Sequence, residues 1–232
     1  MQKSEKKCCN RSGYALYLDH QTTEMNMINN FQDLTTRFAQ VASQPHAVTR
    51  KSAGAVGELF EQLMVGGVVG NDRGADFAAI NTEAKVHHGN GVLTVFTFAP
   101  TAGMSAAKFK ALHGSSVVRR GVANGKGHSI EMTFGSNAVV NITVGGVAVA
   151  GWKVAELSAR IEEKMPNLAM VAATKKGNAV TFDRMAVCRK VIASRFIDSI
   201  ARGDVVIELR GNRGVTFRAT PSIIESWFET VH

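Results

Sequence analysis

The feature that most restricts the fold is a train of three apolar-rich runs punctuated by glycine, HSIEMTFG, AVVNITVGG and VAVAGW, spanning residues 128 to 152. β-Branched residues with glycine at the reversals predict antiparallel strands, because glycine takes left-handed turn conformations without steric cost. The pattern recurs in LAMVAATKKGNAVTF (168–182) and DVVIELRGNRGVTFRA (204–219), each read as a hairpin. TEAKV and VLTVFTF, separated by HHGNG, predict another hairpin, and ADFAAI before them a further short strand.

Helical spacing alternates with these strands. Phe31, Leu34, Phe38 and Val41 predict a helix stopped by Pro45, and Ser52 is read as the N-cap of a second helix to about Val65, with Val56, Leu59, Phe60 and Leu63 inward. A short helix is expected over 105–112, and one marked by Val154, Leu157, Ile161 and Met165 is closed by Pro166. Residues 185–202 read as a long helix with Gly203 beyond it, and IIESWFETV as a closing one. This order predicts an α/β or α+β fold, a mixed central sheet flanked by helices. Residues 1–28 lack sustained periodicity and read as an extension; 29–232 read as a single domain.

Several classes are excluded by composition. No apolar run reaches the ~18 residues of a membrane span, and the basic start leads into polar sequence, so the expectation is a soluble cytoplasmic protein. Cys8, Cys9 and Cys188 are too few and too badly spaced for a disulfide framework or a zinc site. Lys and Arg number 27 against 19 Asp and Glu, and this +8 excess favours a polyanionic partner over a merely solvated basic surface. The excess peaks between residues 175 and 218, with ten basic residues against four acidic, the expected place for phosphate contacts.

The chemistry-bearing stretch is GADFAAINTEAK, residues 74–85. On a strand Glu83 and Lys85 share a face. Asp76, from the preceding turn or strand, can return beside them, and two carboxylates meeting there create demand for a cation. Oxygen ligands of this kind suit Mg²⁺, with the Ala84 carbonyl completing the protein's share. Lys85 would orient or deprotonate a water and offset charge on phosphorus, while Glu61, from the helix upstream, would bind the cation directly or through water. The competing account is plain: a Glu/Lys alternation on an exposed strand is also what a cross-strand ion pair looks like.

Wider context bears on that choice. GAVGELFEQL, GNDRGADFAAINTEAKVHH and GVLTVFTFAP, in that order, resemble the MvaI/BcnI group of type II restriction endonucleases, in the MutH-like branch of the PD-(D/E)xK nucleases. WKVAELSARIEEKMPNLAMVAATKKGN and GDVVIELRGNRGVTFRATPSIIESWFE resemble the later segments of that group, so the likeness covers about residues 50–232. The resemblance implies a restriction-endonuclease-like core, with catalysis in about 50–100 and DNA contacts in about 150–232. It implies Asp76, Glu83 and Lys85 as catalytic residues, with Glu61 matching the helix carboxylate of MutH. It further implies a monomer using Mg²⁺, with Mn²⁺ able to substitute, to hydrolyse duplex DNA at specific sites by way of a nicked intermediate. The alternatives are a MutH-like nicking enzyme of repair or phage metabolism with an activating protein partner, and a non-catalytic DNA-binding module. Some members carry His-Arg after ExK where this chain has Val86, His87 and His88, a departure that bears on the target sequence more than on the chemistry.

Other candidate DNA contacts follow from residue type. Arg210, Arg213 and Arg218 lie in and beside a turn narrow enough for a major groove, where arginine can read guanine; phosphate contact or a solvated turn are the alternatives. His87 and His88 adjoin the active strand and could touch phosphate or a base edge, or serve only as turn residues. Arg119, Arg120 and Lys126 occupy the glycine-rich VVRRGVANGKGH, read as a phosphate-contacting loop although it lacks P-loop order. Trp152, Trp227 and Phe228 read as core.

Overall fold

The computed structural model describes residues 27–50, 52, 54–67, 75–89, 91–114, 116–118, 122–123, 129–135, 139–209 and 214–232. Its elements in chain order are α1 (Phe31–Ala42), β1 (His46–Ala47), α2 (Ala55–Val65), a 3-10 turn (Ala78–Ile80), β2 (Thr82–His87), β3 (Leu93–Phe98), β4 (Ala102–Gly103) and α3 (Ala106–His113). There follow β5 (Ser116–Val118), β6 (Val122–Ala123), β7 (Ser129–Gly135), β8 (Val139–Val144), β9 (Val147–Lys153) and α4 (Val154–Lys164). The chain continues with β10 (Asn167–Lys176), β11 (Ala179–Val191), α5 (Ala193–Arg202), β12 (Val206–Leu209), β13 (Val215–Ala219), α6 (Pro221–Glu225) and β14 (Phe228–Val231). Among the described residues no helix is long and apolar enough to cross a membrane.

The fold is mixed α+β, and its strands divide among three sheets. The first has the order β1-β11-β10-β2, with β14 also on β11; β2 pairs with β10 in parallel and the other pairs are antiparallel. The second runs β3-β13-β12-β5 and the third β4-β9-β8-β7-β6, both antiparallel.

Strand β10 explains why the first sheet is central. Its run Leu168-Ala169-Met170-Val171 is apolar at every position, and alternate side chains leave a strand on opposite faces. Leu168 and Met170 enter a core with Trp152, Phe196, Phe217 and Trp227, whereas Ala169 and Val171 enter a second core with Leu34, Phe60 and Phe182. The second core packs α1 and α2 on the sheet. Phe60 meets Phe38 and Phe182 at ring centroid distances of 6.3 and 5.1 Å, and the Arg37 guanidinium donates to the carbonyl of Leu63 at 2.9 and 3.2 Å near the C-terminus of α2. Ile28, the last residue of the expected extension, is buried in this core.

Several expected elements come out differently. TEAKV and VLTVFTF are not a hairpin: β2 is taken by β10 and β3 by β13, so the two belong to different sheets. ADFAAI supplies no strand; it makes the 3-10 turn, bracketed by reciprocal backbone hydrogen bonds between Phe77 and Thr82 of 2.9 and 3.2 Å, with Asn81 left-handed at φ 51°. Ser52 is not the N-cap of α2, whose cap is Gly54 without a side-chain bond. The expected helix over 185–202 is a strand as far as Val191. Pairing with both β10 and β14 outweighs its helical spacing, and near the strand's end Lys190 is left-handed at φ 57°, its N–H donating to Asn167 Oδ1 at 3.1 Å. The closing segment is a five-residue helix followed by a strand. By contrast Trp152, Trp227 and Phe228 are core residues, as expected.

Because Phe60 joins α1, α2 and β11, Phe60→Ala is expected to cost about 3–5 kcal/mol in urea unfolding. Phe134→Ala, at a position 44% exposed on the third sheet, is expected to stay within about 1 kcal/mol.

Candidate active site

The separation between Asp76 and Glu83 has a geometric explanation. The 3-10 turn and the Phe77–Thr82 pairing reverse the chain, so that Asp76 Oδ2 accepts the backbone N–H of Ala84 at 2.8 Å. Strand β2 is a sheet edge, and within a strand the N–H and C=O of one residue point to the same side. Since the Ala84 N–H turns away from β10 toward Asp76, its carbonyl turns the same way.

Glu83 is the most heavily charged-in group of the site. Its side chain is 3% exposed and lies between two ammonium groups: Lys85 Nζ on Oε1, and Lys164 Nζ at 2.8 Å from Oε2. Lys164 was not anticipated from sequence, where the last lysine of a charged helix reads as solvated. It arrives because β10 starts three residues later and pairs Asn167 with Thr82 and Leu168 with Glu83. The Asn167 amide reinforces this start by donating to the carbonyls of Ile80 and Asn81 at 3.2 and 3.3 Å.

The local field explains the titration of the other acids. Burial pushes Glu61 up to about 7, helped by the negative charge of Asp76 and opposed by Lys85. Burial also raises Asp76, and Glu83 raises it further, while the Ala84 N–H, Lys85 and Lys164 pull it down. Three carboxylates thus share one field.

A cleft of about 580 Å³ opens beside them, with Glu61, Ala84, Lys85, His87, His88 and Arg218 in its wall. Asp76 and Glu83 lie outside that wall and reach it through Ala84 and Lys85. Both histidines therefore border the site, and His87 Nδ1 is buried without a hydrogen-bond partner. Arg218 is engaged within the protein: it donates to Glu208 at 2.9 Å and to the Val92 carbonyl at 2.8 Å, tying β13 to β12 and to the chain before β3. Arg119, Arg120, Lys126, Arg210 and Arg213 lie outside the described residues. Other cations of the basic stretch also have internal partners: Lys190 pairs with Glu229, Arg202 with Asp204, and Arg189 stands 4.2 Å over the ring of Phe31.

The comparisons with known proteins bear on this geometry. The model of the MvaI/BcnI restriction endonuclease family matches residues 35–228. The chain belongs to that family. Among solved structures, one described as the restriction endonuclease MvaI in complex with cognate DNA superposes with a TM-score of 0.72 at 17% identity, over 90% of this chain and 98% of the other. MvaI in the absence of DNA gives 0.50 at 14% identity, over 87% and 99%. No curated protein matches the sequence.

Among the described residues no three side chains of His, Cys, Asp and Glu are grouped closely enough to hold a metal on their own. A hard ion such as Mg²⁺ would keep several waters and need only one or two carboxylates with the substrate's oxygens. Glu83 Oε2 fits the role: it is buried and accepts no aligned hydrogen bond even with an ammonium group beside it. Asp76 and the Ala84 carbonyl would be the companion donors.

Cation-free stability is expected to depend on pH through Glu61. From the usual carboxylate range up to about 7 the folded protein retains a proton that the unfolded chain has lost, so stability falls as pH rises through that window. Glu61→Gln, measured in EDTA, is expected to stabilise the protein at pH 8 but not at pH 4, by on the order of 1 kcal/mol once solvent screening of a half-buried group is allowed for.

Proposed function

We propose that this protein is a Mg²⁺-dependent, site-specific endonuclease that hydrolyses phosphodiester bonds of duplex DNA, acting as a monomer through a nicked intermediate. The observation that carries this reading is the convergence of Asp76, Glu83 and Lys85 at the edge of β2, beside an open cleft. Family membership and the likeness to a DNA-bound restriction endonuclease support it.

Asp76, Glu83 and the Ala84 carbonyl would hold the cation, with Glu61 joining through water. A bound cation supplies Lewis-acid stabilisation of charge at the phosphoryl oxygens and acidifies water. Lys85, in the cleft wall, orients the attacking water and offsets the charge that gathers on five-coordinate phosphorus. Glu61, in the same cleft wall, is placed to take the proton that the water loses. The water oxygen bonds to phosphorus, the phosphorus–oxygen ester bond breaks, and the leaving alkoxide takes a proton from solvent. His87 and His88 line the same cleft and contact the DNA backbone or a base edge. One such site per chain cuts one strand at a time.

Supercoiled plasmid with the protein and Mg²⁺ is expected to give open circles and then linear DNA, with EDTA or Lys85→Ala lowering the rate at least about 100-fold. Lys85→Ala should retain DNA binding in a gel-shift assay. Stalling at open circles would favour the MutH-like nicking alternative, and intact plasmid across diverse sequences would favour a DNA-binding module without catalysis.

A further inference from the structure

The pairing of Glu83 with two lysines instead of one has a consequence for how the site is loaded. A carboxylate this far from water needs compensating charge, and Lys85 reaches only its Oε1. Lys164 supplies that compensation, yet its ammonium group gives Oε2 an ion pair without an aligned hydrogen bond. Lys164 is itself only 19% exposed, and Met165 and Pro166 connect it directly to the strand that pairs with β2. Its placement is set by the sheet, not by a wandering surface side chain.

We propose that Lys164 is a positioning residue of the active site: its ammonium group is the resident counter-ion on Glu83 Oε2, and a divalent cation must displace it to use that oxygen. The inference rests on the reading of Asp76 and Glu83 as cation donors. Lys164 keeps the acidic cluster compact in the cation-free protein and raises the cation concentration at which the site fills. Arg160, one helical turn earlier on α4, is the natural control, since it carries the same charge but pairs with Glu163 and lies over the ring of Phe98.

Mn²⁺ binding to the full-length protein without DNA, followed by calorimetry, tests this. Lys164→Met is expected to tighten Mn²⁺ binding at least about fivefold, the factor that one unit charge a few ångströms away gives even under water-like screening. Lys164→Arg, which retains the charge, should restore affinity toward the wild-type value, and Arg160→Met should leave it unchanged. If thermal melting shows Lys164→Met to be unfolded, Lys164→Gln takes its place with the same expected result. Unchanged or weaker binding in the folded charge-removing variant, or an equal gain in Arg160→Met, overturns the role of Lys164 while leaving the cation reading intact. Wild-type protein that binds no Mn²⁺, or Asp76→Asn that binds as well as wild type, overturns the cation reading and this inference with it.

Discussion

A charged carboxylate with almost no access to water is the constraint around which this molecule is arranged. Glu83 is tolerable where it lies only because two ammonium groups reach it, one from its own strand and one from the end of α4. The second exists only if β10 starts beside β2, and that parallel pairing requires α4 to end at Lys164 and Asn167 to clamp the turn before β2. The apolar core and the polar site are thus consequences of one strand pairing. β10 fills both cores with its side chains and aligns β2 through its backbone.

Placing the acids at a sheet edge has a chemical consequence. An interior strand spends its backbone groups on neighbours, but β2 has one free side, where Ala84 offers its N–H to Asp76 and its carbonyl to the same region. The unpaired edge, ordinarily a liability for aggregation, is covered here by a turn that delivers a carboxylate. Asp76, Glu61 and Glu83 repel one another, and in the proposed reading a bound cation would relieve that repulsion.

How far the site could be read from sequence follows from which residues are local. Asp76, Glu83 and Lys85 lie within ten residues, and strand periodicity was enough to place Glu83 and Lys85 on one face. Glu61 was legible as the carboxylate of an adjoining helix. Lys164 was not, because EEK at a helix end has no local mark that separates it from a solvated lysine. Arg218, read from its type and turn as a DNA contact, lines the cleft with its guanidinium held by Glu208 and the Val92 carbonyl, an anchorage that no local pattern signals.

The sequence by itself determined the α+β character, the strand pairs β10–β11 and β12–β13, the helices stopped by Pro45 and Pro166, and the family. These depend on periodicity, on backbone stereochemistry and on the order of short motifs, all of which are properties of neighbouring residues. Only the tertiary structure decided that β2 and β3 part into different sheets, that 185–191 is strand, that ADFAAI turns, and that Lys164 meets Glu83. Each of those outcomes is a competition between a local preference and a pairing with residues far along the chain, and the larger burial and hydrogen bonding of the distant partner prevails.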